Sequence, residues 1–246
     1  SARSCRIQSS DAAACLKQMA QAAKDSEHTT HTNTSSTSNL CVPSLDLGFN
    51  PDLGSTTAFS KALQDWILAP TRIIDTPVSH NKDNSHVNER VLRLDACGLG
   101  PAACRAIGEG LLFLWQRNQS RQQSEHENQN QTPQRKCLLS LYLGQNEAIG
   151  NAGVCALAAA LRSGVCLNVL DLSACEVGDA GAQALAMALE DNPGCIKSLI
   201  LRNNRHVTDK GVAFLGRGLQ ASAAAMADAN TNAISPAVPP LHHLDV

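Results

Sequence analysis

The chain has 246 residues, a formal net charge of −2, 43% hydrophobic residues and only 3% aromatic ones. A near-neutral total provides no long-range attraction for nucleic acid or an anionic membrane surface. No apolar run reaches membrane-spanning length, the stretch Gly110–Trp115 being far too short. There is no initiator Met and no signal peptide, and the chain reads as a portion of something longer that opens and closes inside a repeat.

Taken in order, residues 1–24 read as the back of a repeat. Cys5-Arg6-Ile7 is followed by Cys15 and Met19, and the Ala-rich segment 12–23 predicts a helix. Residues 25–40 are Thr, Ser, Asn and His, a composition that buries no core and predicts a loop. A second unit, 41–69, carries Leu45-Asp46-Leu47-Gly48-Phe49-Asn50, then a helix whose apolar face is Phe59, Leu63 and Trp66 or Ile67. A polar insertion at 70–88, broken by Pro70 and Pro77, precedes a third unit at 89–116 with Leu92-Arg93-Leu94-Asp95-Ala96-Cys97 and a helix bearing Ile107 and Leu111. A Gln/Asn-rich insertion occupies 117–136.

Three units of regular length follow, at 137–165, 166–194 and 195–221. Leu138-x-x-Leu141-x-Leu143-x-x-Asn146 lies over Leu167-x-x-Leu170-x-Leu172-x-x-Cys175 and over Ile196-x-x-Leu199-x-Leu201-x-x-Asn204, so the turn residues recur every 29 positions. An Ala/Asn/Pro insertion at 222–240 leads to Leu241–Val246, the start of another strand. In each unit two alternating leucines define one face of a short strand, and a polar turn residue follows. Gly153, Leu157 and Leu161 then sit four apart on a helix face. Strand and helix each have one apolar side that only stacking can bury. The insertions all fall between a helix and the next strand, where extra length costs little closure entropy.

This pattern resembles the leucine-rich repeat. The alternation of turn residues (Cys5, Asn50, Cys97, Asn146, Cys175, Asn204), the period near 29 and the string Ala184–Leu189 are similar to its ribonuclease-inhibitor-like class, which includes the ribonuclease inhibitor, the repeat domains of NOD-like receptors and the Ran GTPase-activating proteins. The resemblance covers nearly all of the chain outside the insertions. It implies a single α/β array: a right-handed leucine-rich-repeat solenoid, or horseshoe, with parallel strands on the concave face and helices on the convex one. The chain departs from the family in its polar insertions and in Glu89, which replaces the first strand leucine.

Each of the ten cysteines has a repeat address. Cys5, Cys97 and Cys175 are turn residues. Cys41, Cys137, Cys166 and Cys195 precede their turn residues by nine positions, and Cys15, Cys104 and Cys155 lie in helices. Recurrent small buried thiols explain this register better than a disulfide framework, and the lack of Cys-x-x-Cys argues against zinc. His28-x-x-His31 has ligand-like spacing but sits in a solvated Thr/Ser tract, and His242-His243 point to opposite strand faces. Asn33-Thr34-Ser35 and Asn118-Gln119-Ser120 match glycosylation triplets in Asn/Ser-rich tracts. No phosphate loop, nucleophile elbow or His-Glu-x-x-His is present.

The remaining candidate is the outward strand face. Asp46, Arg93, Tyr142, Asp171 and Ile200 stand between the paired leucines, and Gly48, Asp95, Gly144, Ser173 and Arg202 come next. A shallow protein-binding surface centred on Tyr142, with Asp46, Arg93, Asp95, Asp171, Ser173 and Arg202 around it, is one reading; a solvated face without a partner is the other. The expected function is a non-catalytic protein-interaction scaffold, part of a larger cytoplasmic or nuclear protein such as a NOD-like sensor. Its partner would be another protein, with no cofactor, metal, nucleic acid, membrane or small-molecule substrate. A GTPase activator resembling the Ran activator and a structural repeat protein of a large assembly are the alternatives.

Overall fold

The computed structural model describes residues 9–28, 44–68, 90–125, 139–230, 241 and 243–246. Helix and strand alternate along it: α1 (Ser9–His28), β1 (Leu45–Asp46), α2 (Thr57–Leu68), β2 (Arg90–Arg93), α3 (Pro101–Glu125), β3 (Leu139–Tyr142), α4 (Gly150–Arg162), β4 (Leu167–Asp171), α5 (Asp179–Asp191), β5 (Ile196–Ile200), α6 (Asp209–Asn230) and β6 (His243–Asp245). The strands form one parallel sheet in chain order, β1 to β6, open at both ends. Leu45, Leu92, Leu141, Leu170, Leu199 and Leu244 share one rung. From Leu92 to Leu199 these leucines are fully buried and pack with the apolar faces of the helices in one continuous core. In α2, Phe59, Leu63, Trp66 and Ile67 are all buried, as the apolar spacing predicts.

Pairing continues past each formal strand end. Leu47, Leu94, Leu143 and Leu172 donate to Arg93, Tyr142, Asp171 and Ile200, and two residues later Phe49, Ala96, Gln145 and Ala174 donate to Asp95, Gly144, Ser173 and Arg202. Phe49, Ala96, Gln145, Ala174 and Asn203 all have positive φ, between 51° and 63°. That left-handed step, taken without glycine, turns the chain out of the sheet.

The turn residue then reaches into the neighbouring repeat. Asn146 Nδ2 donates to Leu143 O (2.7 Å) and to Leu94 O of the previous repeat (2.9 Å), while its Oδ1 accepts the N–H groups of Cys97 (2.9 Å) and Leu99 (3.0 Å). Asn204 repeats the pattern on Leu201, Leu172, Cys175 and Val177. The Cys175 thiol donates to Leu143 O (3.1 Å) and the Cys97 thiol to Leu47 O (3.1 Å). Both thiols are fully buried and free, and burial pushes Cys97 up to about 11 and Cys175 up to about 12.

The two turn types also differ in length. The apolar residue that re-enters the core comes three positions after Asn50 and Asn146 (Leu53, Ile149), but two after Cys97 and Cys175 (Leu99, Val177). Hence 28 residues separate Ile149 from Val177 and 30 separate Val177 from Val207, beneath the uniform step of 29. The short Cys turn takes a second left-handed residue, Gly98 (φ 65°) or Glu176 (φ 53°).

Three helices run beyond the boundaries expected from composition. Helix α1 continues to His28, α3 to Glu125 and α6 to Asn230, so the first residues of three polar insertions are helical. The physical reason is the absence of a breaker. Residues 117–125 are Arg, Gln, Ser, Asn and Glu, and 221–230 are mostly Ala; with no Pro or Gly, a helix already nucleated on the core continues. The remainder of those insertions, segment 70–88, Glu89, and Cys5, His31, Asn33, Cys41, Cys137 and His242 lie outside the described residues.

Candidate protein-binding face

The sheet register lines Asp46, Arg93, Tyr142, Asp171, Ile200 and Asp245 along one rung of the face opposite the helices. All six are partly exposed. Gly48, Asp95, Gly144, Ser173 and Arg202 follow two residues on, towards the turns, and Val91, Ser140, Val169, Ser198 and His243 precede them.

Three of the candidate residues meet at the centre. The Arg93 guanidinium lies over the Tyr142 ring, 4.1 Å from its centroid, and its Nη1 is 3.9 Å from Asp95 Oδ2. Asp95 is only 9% exposed, and its Oδ1 accepts the Gly144 N–H at 3.1 Å. Asp171 Oδ1 accepts the backbone N–H (2.9 Å) and the hydroxyl (2.6 Å) of Ser173. Gly144 stands between the two carboxylates: a methyl group there would meet Asp95 Oδ1 at 3.3 Å and Asp171 Oδ1 at 3.6 Å. The result is a cation–aromatic stack beside a buried glycine whose missing side chain leaves room for the Asp95 and Asp171 carboxylates.

The outer candidates stand apart from this centre. Asp46 is one strand away on β1, where its Oδ1 accepts the Gly48 N–H. Arg202 pairs through Nε with Asp245 Oδ2 (2.5 Å), which also has His243 Nε2 at 3.9 Å. Asp245 and His243 were not among the expected face residues. The signal was present, because Asp245 follows Leu244 as Asp171 follows Leu170. Among the described residues no group of three or more His, Cys, Asp or Glu side chains could hold a metal ion, and no helix is long and apolar enough to cross a membrane.

Short parallel strands on one side, helices on the other and a ladder of buried turn residues between them define an open α/β repeat solenoid. A leucine-rich repeat family model matches residues 165–186, which hold β4, the Cys175 turn and the first part of α5. Over those residues the chain is similar to a leucine-rich repeat, and its fold is a leucine-rich-repeat solenoid. No curated protein matches the chain.

Proposed function

We propose that the chain is a non-catalytic protein-interaction scaffold that binds another protein on the sheet face, with the Arg93–Tyr142 stack at the centre of contact. The observation that carries this reading is the stack itself. The single tyrosine of the chain stands on the sheet face, at its middle, capped by a guanidinium. Tyr and Arg are the residue types that most often dominate binding energy. Asp46, Asp171, Ser173 and Arg202 would form the polar rim, and Asp95 would hold Arg93 in place.

The alternation of short Cys turns and longer Asn turns supports the ribonuclease-inhibitor-like class as the repeat subtype. Buried free thiols at Cys97, Cys104, Cys175 and Cys195 suit a reducing intracellular setting, cytoplasmic or nuclear.

A photo-crosslinking amino acid at position 200, on the same rung as Tyr142 and leaving the stack intact, with one at the exposed convex position Met187 as control, tests the face. A partner recovered only from position 200 is then purified and titrated. Tyr142→Ala should weaken its binding by roughly tenfold or more. Equal capture from both positions, or unchanged affinity, would rule the face out.

A further inference from the structure

Cys166 and Cys195 occupy equivalent places in neighbouring repeats, each immediately before its strand. The residues that follow them, Leu167 and Ile196, are paired across β4 and β5, and Leu167 N–H donates to Cys195 O at 2.6 Å. The two backbones are therefore in direct ladder contact, and paired parallel strands run about 4.8 Å apart. That spacing falls inside the roughly 4.4–6.8 Å range that a disulfide spans between α-carbons.

We propose that Cys166 and Cys195 form a reversible thiol–disulfide pair, closed by a small-molecule disulfide such as oxidised glutathione. Access sets the order of events. Cys166 is half-buried, with its thiol on Gly164 O at 3.5 Å, whereas Cys195 is fully buried with its thiol on Ala188 O at 3.6 Å. Burial pushes the Cys195 thiol up to about 12, and the neighbouring Cys166 adds to the rise. Cys166 is thus the entry thiol.

Deprotonated Cys166 attacks one sulfur of oxidised glutathione; the glutathione S–S bond breaks and one glutathione leaves as its thiol. Cys195 then attacks Cys166 Sγ, the Cys166–glutathione S–S bond breaks, and the Cys195 proton passes to the second glutathione, which leaves as its thiol. Two protein thiols are oxidised and one glutathione disulfide is reduced to two thiols. Equivalent side chains on parallel strands leave in the same direction, so their β-carbons start near the strand spacing, wider than the relaxed value of about 3.8 Å. The bond therefore closes under strain and reopens readily under reducing conditions. Closed, it staples the Cys175 repeat to the Asn204 repeat at the foot of the sheet.

The test is incubation of the full chain with oxidised glutathione, followed by unfolding in guanidinium chloride with N-ethylmaleimide present, so that buried free thiols such as Cys175 and Cys195 are blocked as well. Digestion with trypsin and a Glu-specific protease puts Cys195 on a different peptide from Cys166 and Cys175, and fragmentation locates the blocked thiol. The expected product is a Cys166–Cys195 linkage, with loss of those two blockable thiols, Cys175 still blocked, and full reversal by dithiothreitol. Cys195→Ala should stop at the Cys166–glutathione adduct, and Cys166→Ser should leave Cys195 unmodified. A wild-type protein that stops at the adduct, joins Cys166 to Cys137 or another cysteine, or leaves both thiols blockable would overturn the proposal. Because Cys166 is half-buried, the serine variant carries the test even if the alanine variant fails to fold.

Discussion

The turns at Asn146 and Asn204 and those at Cys97 and Cys175 occupy the same place in successive repeats, yet they are held in different ways. A carboxamide has two donors and an acceptor, and each Asn spends both kinds: it binds its own turn, the previous repeat's strand end and two N–H groups of the previous Cys turn. A thiol offers one weak donor, and each Cys directs it chiefly at the previous repeat's carbonyl (3.1 Å), with a carbonyl of its own turn at 3.4 Å. The difference teaches that the alternation is a division of labour. The Cys turn presents two N–H groups on a shortened bend, and the following Asn turn satisfies both with one oxygen.

The widest gap between the two turn types should come from deleting the carboxamide. Asn146→Ala strips partners from the buried N–H groups of Cys97 and Leu99 and from the carbonyls of Leu94 and Leu143, and should cost about 3–4 kcal/mol in urea unfolding. Cys175→Ala removes one weak donor and a sulfur-sized volume, and should cost about 1–2 kcal/mol. If the two costs were equal, the division of labour would be wrong.

Of the two turn types, the Cys turns should also carry a pH signature, which they share with buried Cys104 and Cys195. The Cys175 pKa rises from 9.0 unfolded to about 12 folded, so the folded state favours the neutral thiol. Its contribution is fully present below pH 9 and is lost as pH rises towards 12. Cys175→Ala should make the stability profile less steep over that window, with Cys97, Cys104 and Cys195 keeping their share, and Asn146→Ala should leave its slope unchanged. A slope unaltered by the cysteine replacement would show that other groups govern alkaline unfolding.

The smallest effect has the opposite sign. Ala174 sits at φ 51°, a conformation that glycine adopts without penalty, so Ala174→Gly should stabilise the protein by about 0.5–1 kcal/mol. Asn203→Gly, at φ 59° in an Asn turn, should give less because Asn tolerates this region. A lowered melting midpoint for Ala174→Gly would mean that the Ala174 side chain contributes packing worth more than the strain.

Much of this architecture was legible beforehand. Leu141, Leu143, Leu157 and Leu161 announce a strand face and a helix face by spacing alone, and the polar turn residues announce their place by recurrence. The left-handed step was not legible, since Phe49, Ala96, Gln145, Ala174 and Asn203 share no residue type that signals positive φ. The length difference between the turns was hidden because aligning Asn146, Cys175 and Asn204 absorbs it into a uniform step of 29. Helix ends at His28, Glu125 and Asn230 carry no mark in composition, because Gln, Arg, Glu and Ala propagate a helix even within a tract too polar to pack. On the sheet face, the residues could be named from the repeat, but the stacking of Arg93 on Tyr142 and the Arg202–Asp245 pair depend on rotamers and cross-strand register, which no linear pattern specifies.

The shortened Cys turn bears on how such an array can lengthen. Duplicating an Asn repeat alone would set an Asn turn directly after another Asn turn. The carboxamide oxygen would then face a longer bend, closed by a 3₁₀ turn at Glu147–Ile149, instead of the paired N–H groups of residues such as Cys175 and Val177. Duplicating a Cys repeat together with its Asn successor restores every junction. The copying unit compatible with this geometry is therefore a two-repeat cassette, and a gene encoding such an array should grow and shrink in even steps.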